Sequence, residues 1–172
     1  MNSAIVIWCF IGAVLAQPPL PPGCEWPEKT PSECCDGLSK FIDGAALKAC
    51  MEKCKPSAGP GGGPCCMATC VTDAVPILKD GKFDKDATVK RISDMGADWA
   101  AFANAATVDA CANEASRIPS PPACDSFESG MMIHCIGEKL FNACPKPTAG
   151  AECDKTRKFF KDCKPMPPPP RN

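Results

Sequence analysis

The sequence predicts an all-α fold: a compact, disulfide-stapled bundle of six or more short helices between extended, proline-rich termini. Three observations predict it. Apolar residues recur at helical spacing between breaker segments, and alternating runs of β-branched residues are few. The chain of 172 residues carries 15 cysteines, far above ordinary usage. Its 20 prolines cluster at the two ends and at a few breaks, leaving the stretches between them free to form helices. A chain of this length favours one domain with a sizeable core.

The chain opens on "MNSAIVIWCFIGAVLA", sixteen residues without a charged side chain. The apolar stretch from Ala4 to Ala16 is too short to span a bilayer and suits the core of a signal peptide. Val14 and Ala16 are small residues before a cut, so the mature chain is expected to start at Gln17. A membrane anchor is the alternative reading of this stretch. Cleavage removes Cys9 and leaves fourteen thiols, an even number, as expected of disulfides in an oxidising compartment. The expected organisation is then a signal peptide over 1–16 and a proline-rich arm over 17–23. A helical domain follows over 24–163, including a C-terminal extension at 145–163, and a proline-rich tail over 164–172 ends the chain.

The helices follow in order. Leu38 to Cys54 carries Phe41, Ile42, Ala45, Leu47 and Met51 at mostly helical spacing, weakened by Gly44. "KPSAGPGGGP" (55–64) is a loop, because no helix survives that density of glycine and proline. Cys65 to Val75 is a second helix, ended or redirected at Pro76. "KDGKFDKD" is a turn in which Gly81 is free to take positive φ. Asp84 or Asp86 then caps a helix running to about Met95. The alanine-rich segment 97–117 reads as one helix with Trp99, Phe102 and Ala106 on one face. "IPSPP" (118–122) breaks it. Asp125 or Ser126 caps a helix to about Ala143, where Pro145 prevents continuation. Residues 151–163 form a last short helix with Phe159 and Phe160. "CMEKC" and "CMATC" are a local echo, with no convincing internal repeat beyond it.

The cysteines admit metal binding, redox chemistry or stapling. Structural zinc favours Cys-x-x-Cys pairs or Cys/His sets, whereas the spacing here is Cys-x-x-x-Cys and His134 is the one histidine. A redox motif would be Cys-x-x-Cys at a helix start, and none is present. A catalytic thiol needs a partner base, for which His134 beside Cys135 is thin support. Neither metal, cofactor nor catalysis is therefore expected. Stapling fits: Cys66 and Cys70 share one helix face and are expected to reach different neighbouring helices. The adjacent cysteines in Cys34/Cys35 and Cys65/Cys66 project about 100° apart and should staple separate partners. The set expected to be bridged is Cys24, Cys34, Cys35, Cys50, Cys54, Cys65, Cys66, Cys70, Cys111, Cys124, Cys135, Cys144, Cys153 and Cys163. Such cross-linking exceeds what folding requires; it suits durability in a protease-rich fluid, or it offsets the cost of a hollow interior. The net charge of −1, with no long run of one sign, gives no footprint for nucleic acid.

The spacing Cys66-x3-Cys70, then forty residues to Cys111, then Cys135-x8-Cys144 resembles the six-cysteine signature of insect odorant-binding proteins, with Cys34 or Cys35 as the first cysteine. Cys124, the proline directly after Cys144, and the trailing Cys153 and Cys163 look like the Plus-C subgroup. Cys24, Cys50 and Cys54 exceed the minimal signature. The resemblance implies a helical fold around an apolar cavity, without catalysis. It also implies a small hydrophobic ligand, a chemosensory receptor as partner, no membrane span after signal cleavage, and secretion into sensillum lymph or a similar fluid. It suggests the pairs Cys66–Cys135, Cys111–Cys144, and Cys70 with Cys34 or Cys35.

On that reading the candidate ligand-binding residues are Phe83, Ile92, Met95, Trp99, Phe102, Met131, Met132, Ile136 and Leu140, apolar side chains on helices the staples bring together. Methionine adapts to varied guest shapes; each of the nine also reads as ordinary core. His134 has a side chain that titrates near pH 6.5 when unperturbed and would suit a pH-dependent opening, or it is a surface histidine. Phe159 and Phe160 either cover a pocket mouth or pack on the outer helices. Two rival functions are a secreted disulfide-rich inhibitor or toxin acting on a protein, and a structural or storage protein of an extracellular fluid.

Overall fold

The computed structural model of the protein describes residues 27–54, 63–79, 82–121 and 123–163. The expected signal peptide, both proline-rich ends, Cys24, most of the 55–64 loop and Gly81 lie outside them. Among the described residues there are six α-helices: α1 (Gly44–Lys53), α2 (Pro64–Ala74), α3 (Lys85–Ser93), α4 (Ala105–Ala115), α5 (Phe127–Asn142) and α6 (Ala151–Asp162). Short 3-10 turns at Pro31–Glu33, Leu38–Lys40 and Ala97–Trp99 complete the helical content. Two strands of two residues each, β1 (Leu78–Lys79) and β2 (Lys82–Phe83), pair antiparallel around the expected turn. The class is all-α, as the spacing predicts.

Side-chain caps decide several boundaries. Asp84, the first of the two expected caps of α3, accepts a hydrogen bond from the Ala87 N–H at 2.9 Å. The helix expected from Leu38 instead breaks into a 3-10 turn, and α1 starts only after Asp43, whose carboxylate accepts from Ala46 N–H at 2.9 Å. The helix expected over 97–117 is likewise two pieces. Asn104 takes an extended conformation and caps α4 by accepting from Thr107 N–H at 2.9 Å. A short polar side chain that can satisfy an orphan backbone donor wins over alanine's preference to continue the helix.

Six disulfides among the described residues join these elements, with Cα–Cα separations from 5.2 to 5.9 Å. Cys50–Cys70 and Cys54–Cys66 connect α1 to α2, Cys111–Cys135 connects α4 to α5, and Cys65 of α2 reaches Cys124 just before α5. Cys34–Cys153 and Cys35–Cys144 tie the N-terminal segment to α6 and to the end of α5. Cys163 is also disulfide-bonded.

These bridges correct the pairing that the resemblance suggests. Cys66 joins Cys54, not Cys135; Cys111 joins Cys135, not Cys144; and Cys70 joins Cys50, not Cys34 or Cys35. They also correct the expectation that Cys66 and Cys70 reach different helices. Both reach α1, which offers its own i, i+4 pair on one face. In an antiparallel hairpin the cysteines nearest the loop meet each other and the distal ones meet each other. The adjacent cysteines do diverge as expected: Cys34 and Cys35 reach different partners, as do Cys65 and Cys66.

The main core runs through the middle of the molecule. Leu38, Phe41, Val75, Ile77, Ile92, Ile136 and Leu140 are fully buried there. Gly130 of α5 passes directly over α2: a Cβ on it would lie 2.6 Å from the Cα of Ala68. The C-terminal extension is part of the same body. Thr148 N–H donates to Cys34 O at 3.0 Å, Asp36 N–H to Lys146 O at 3.1 Å, and the buried Thr156 hydroxyl to Lys29 O at 3.1 Å. Lys40 and Arg91 stitch α3 to the segment before α1, donating to Met95 O at 3.2 Å and Phe41 O at 2.8 Å. Burial lowers the pKa of Arg91 from its ordinary value.

Candidate functional site: a cleft between α4 and α5

A shallow, open concavity among the described residues lies where the N-terminal half of α4 runs beside the C-terminal turn of α5. Its volume is about 570 Å³, within the range of small-molecule sites. Ala106, Thr107 and Ala110 line it from α4, Lys139, Asn142 and Ala143 from α5, and Phe102 from the segment before α4. The space exists because alanine does not fill it. Ala106 and Ala110 stand one turn apart on α4, and Lys139 and Ala143 one turn apart on α5.

Both ends of the cleft are anchored. Cys111, next to Ala110, bridges to Cys135, one turn before Lys139. Cys144, next to Ala143, bridges to Cys35. The α4 start is held in turn by Asn104, which accepts from the Thr107 hydroxyl at 3.2 Å and donates from its amide to Ala101 O at 2.6 Å. The lining is mainly apolar, with one cation and two uncharged polar side chains.

Of the nine residues expected to meet a ligand, Phe102 alone lines this cleft. Ile92, Met95, Trp99, Ile136 and Leu140 sit in the main core, with Phe83 and Phe102 packed against it. Met132 belongs to a second cluster with Val108 and Ala115, against which Phe83 and Met131 pack. The residues named from sequence thus fall mostly in the apolar interior between α3, α4 and α5, and the six non-aromatic residues of the cleft are not among them. The reading from sequence seeks bulk, whereas a hollow is lined by side chains too small to close it. The alanine-rich composition of 97–117 is the signal that points there.

His134 is exposed on α5, its ring centroid 6.5 Å from that of Phe160, and is not part of the cleft. Phe160 packs edge-on against Phe141 of α5 with centroids 5.5 Å apart, and against Phe159 at 5.6 Å. Phe160 thus helps hold α6 on α5.

The chain matches no family model, and no solved structure matches it. It aligns with odorant-binding protein 47 of Anopheles gambiae at 28% identity over 182 positions, covering 89% of this chain and 77% of that relative. The chain is similar to an odorant-binding protein. The six bridges among its described residues fit the extended cysteine set of the Plus-C pattern. No helix among its described residues is long and apolar enough to cross a membrane.

Proposed function

We propose that the protein is a non-enzymatic, secreted carrier of the Plus-C type. It would take up a small hydrophobic ligand reversibly and move it through an extracellular fluid toward a receptor. The observation that carries this reading is the mainly apolar cleft of about 570 Å³ clamped between two disulfides. Removing apolar ligand surface from water is worth about 25 cal/mol per Å². A wall already held open by covalent links avoids much of the ordering cost of binding. The relative's name supports the ligand class, and disulfides on this scale support an oxidising compartment. Phe102 is the proposed contact within the cleft. Phe83, Ile92, Met95, Trp99, Met131, Met132, Ile136 and Leu140 are the proposed apolar interior behind it.

Titrating the oxidised protein with N-phenyl-1-naphthylamine tests the reading. A carrier gives saturable fluorescence at roughly one probe per chain, displaced by volatile apolar compounds. Linear, unsaturable uptake overturns it and favours an inhibitor, toxin or storage protein.

A further inference from the structure

The carrier reading leaves the polar end of the guest open, and Lys139 bears on it. It is the one charged residue lining the cleft. It is half-buried, and its side chain makes no hydrogen bond or ion pair among the described residues. Other cations nearby are engaged: Lys85 pairs with Asp109 of α4 at 2.6 Å, Lys90 with Asp94 at 2.7 Å, and Lys146 with Asp98 at 2.8 Å. Asp109, the acid of α4 adjacent to Ala110, is thereby already occupied. An ammonium partly withdrawn from water without a counter-charge is unfavourable, and an arriving anion relieves it. Asn142 presents an amide from the same turn of α5, beside the same hollow.

We infer that the cleft selects molecules with an apolar tail and a carboxylate head, the head accepting hydrogen bonds from Lys139 Nζ and the tail lying along Phe102, Ala106 and Ala110. The inference rests on the carrier reading. A charged acceptor makes the shorter and stronger kind of hydrogen bond, so it distinguishes an acid from its ester. Lys139 also stands in the last turn of α5, where a cation favours the helix end. That structural role would affect stability but not the choice between acid and ester.

Displacement of N-phenyl-1-naphthylamine by dodecanoic acid and by its methyl ester, at neutral pH, separates the cases. The acid should displace the probe from the native protein about tenfold more strongly than the ester. Lys139→Met should bring the two within about twofold of each other, and Lys139→Arg should keep the preference. Equal displacement by acid and ester in the native protein, or a preference that survives in Lys139→Met, overturns this inference and leaves the carrier reading standing. A protein that takes up neither probe nor acid loses both.

Discussion

Gly130 shows how one absent methyl group sets a helix crossing. Alanine is the better helix former by about 1 kcal/mol, so on propensity alone Gly130→Ala would stabilise α5. A Cβ there would instead stand 2.6 Å from both the Cα and Cβ of Ala68, and backbone cannot swing aside as a side-chain tip can. Overpacking of this kind costs about 1–3 kcal/mol. Gly130→Ala should therefore lower the urea midpoint, whereas the same change at Gly137, where nothing lies within 4 Å, should not. Glu33 makes a pH-dependent contribution. Its carboxylate accepts from Lys48 Nζ at 2.8 Å and from the Thr30 N–H at 2.7 Å, and its pKa is lowered from 4.5 to about 2. Across that window the unfolded chain binds more protons than the folded one, so stability rises with pH. The contribution is complete above about pH 4.5 and is lost as pH falls toward 2. The side chain is 37% exposed, so solvent screening holds the effect to about 1 kcal/mol or less. Glu33→Gln should be slightly less stable than the native protein at neutral pH and indistinguishable from it near pH 2, as read from unfolding midpoints.

At the scale of elements, the cysteine echo carries the connectivity. "CMEKC" closes α1 and "CMATC" opens α2, and the two i, i+4 pairs face each other across an antiparallel hairpin. Helix positions are legible in the sequence because breakers and caps act locally: Asp84 and the proline after Cys144 mark ends that need no tertiary information. The partners of single cysteines are not legible, since helix packing decides them; Cys111 and Cys135 meet because α4 lies along α5. The cleft is hidden for the same reason. Periodicity finds residues that fill space, and the candidate site is built from Ala106, Ala110 and Ala143, which do not. Replacing both Cys111 and Cys135 by serine should cost about 2–4 kcal/mol, the usual worth of a native bridge. It should also weaken probe binding more than a matched loss at Cys54–Cys66, which lies in the α1–α2 pair. Unfolding and probe titration of the two double variants measure this.

Across the whole molecule, the bridges tie the N-terminal segment, the helical hairpin and the C-terminal extension into one body, with the α4–α5 cleft on its flank. The central claim is that this cleft takes the guest. Ala110 is exposed on its wall, so a larger side chain there fills the hollow without entering the core. The most direct measurement is N-phenyl-1-naphthylamine binding to Ala110→Trp beside the native protein, with the disulfides and melting temperature of both checked. Loss of at least about tenfold in affinity, with folding unchanged, is the result expected of a filled site. Undiminished binding in Ala110→Trp would contradict the claim and place the guest elsewhere in the molecule.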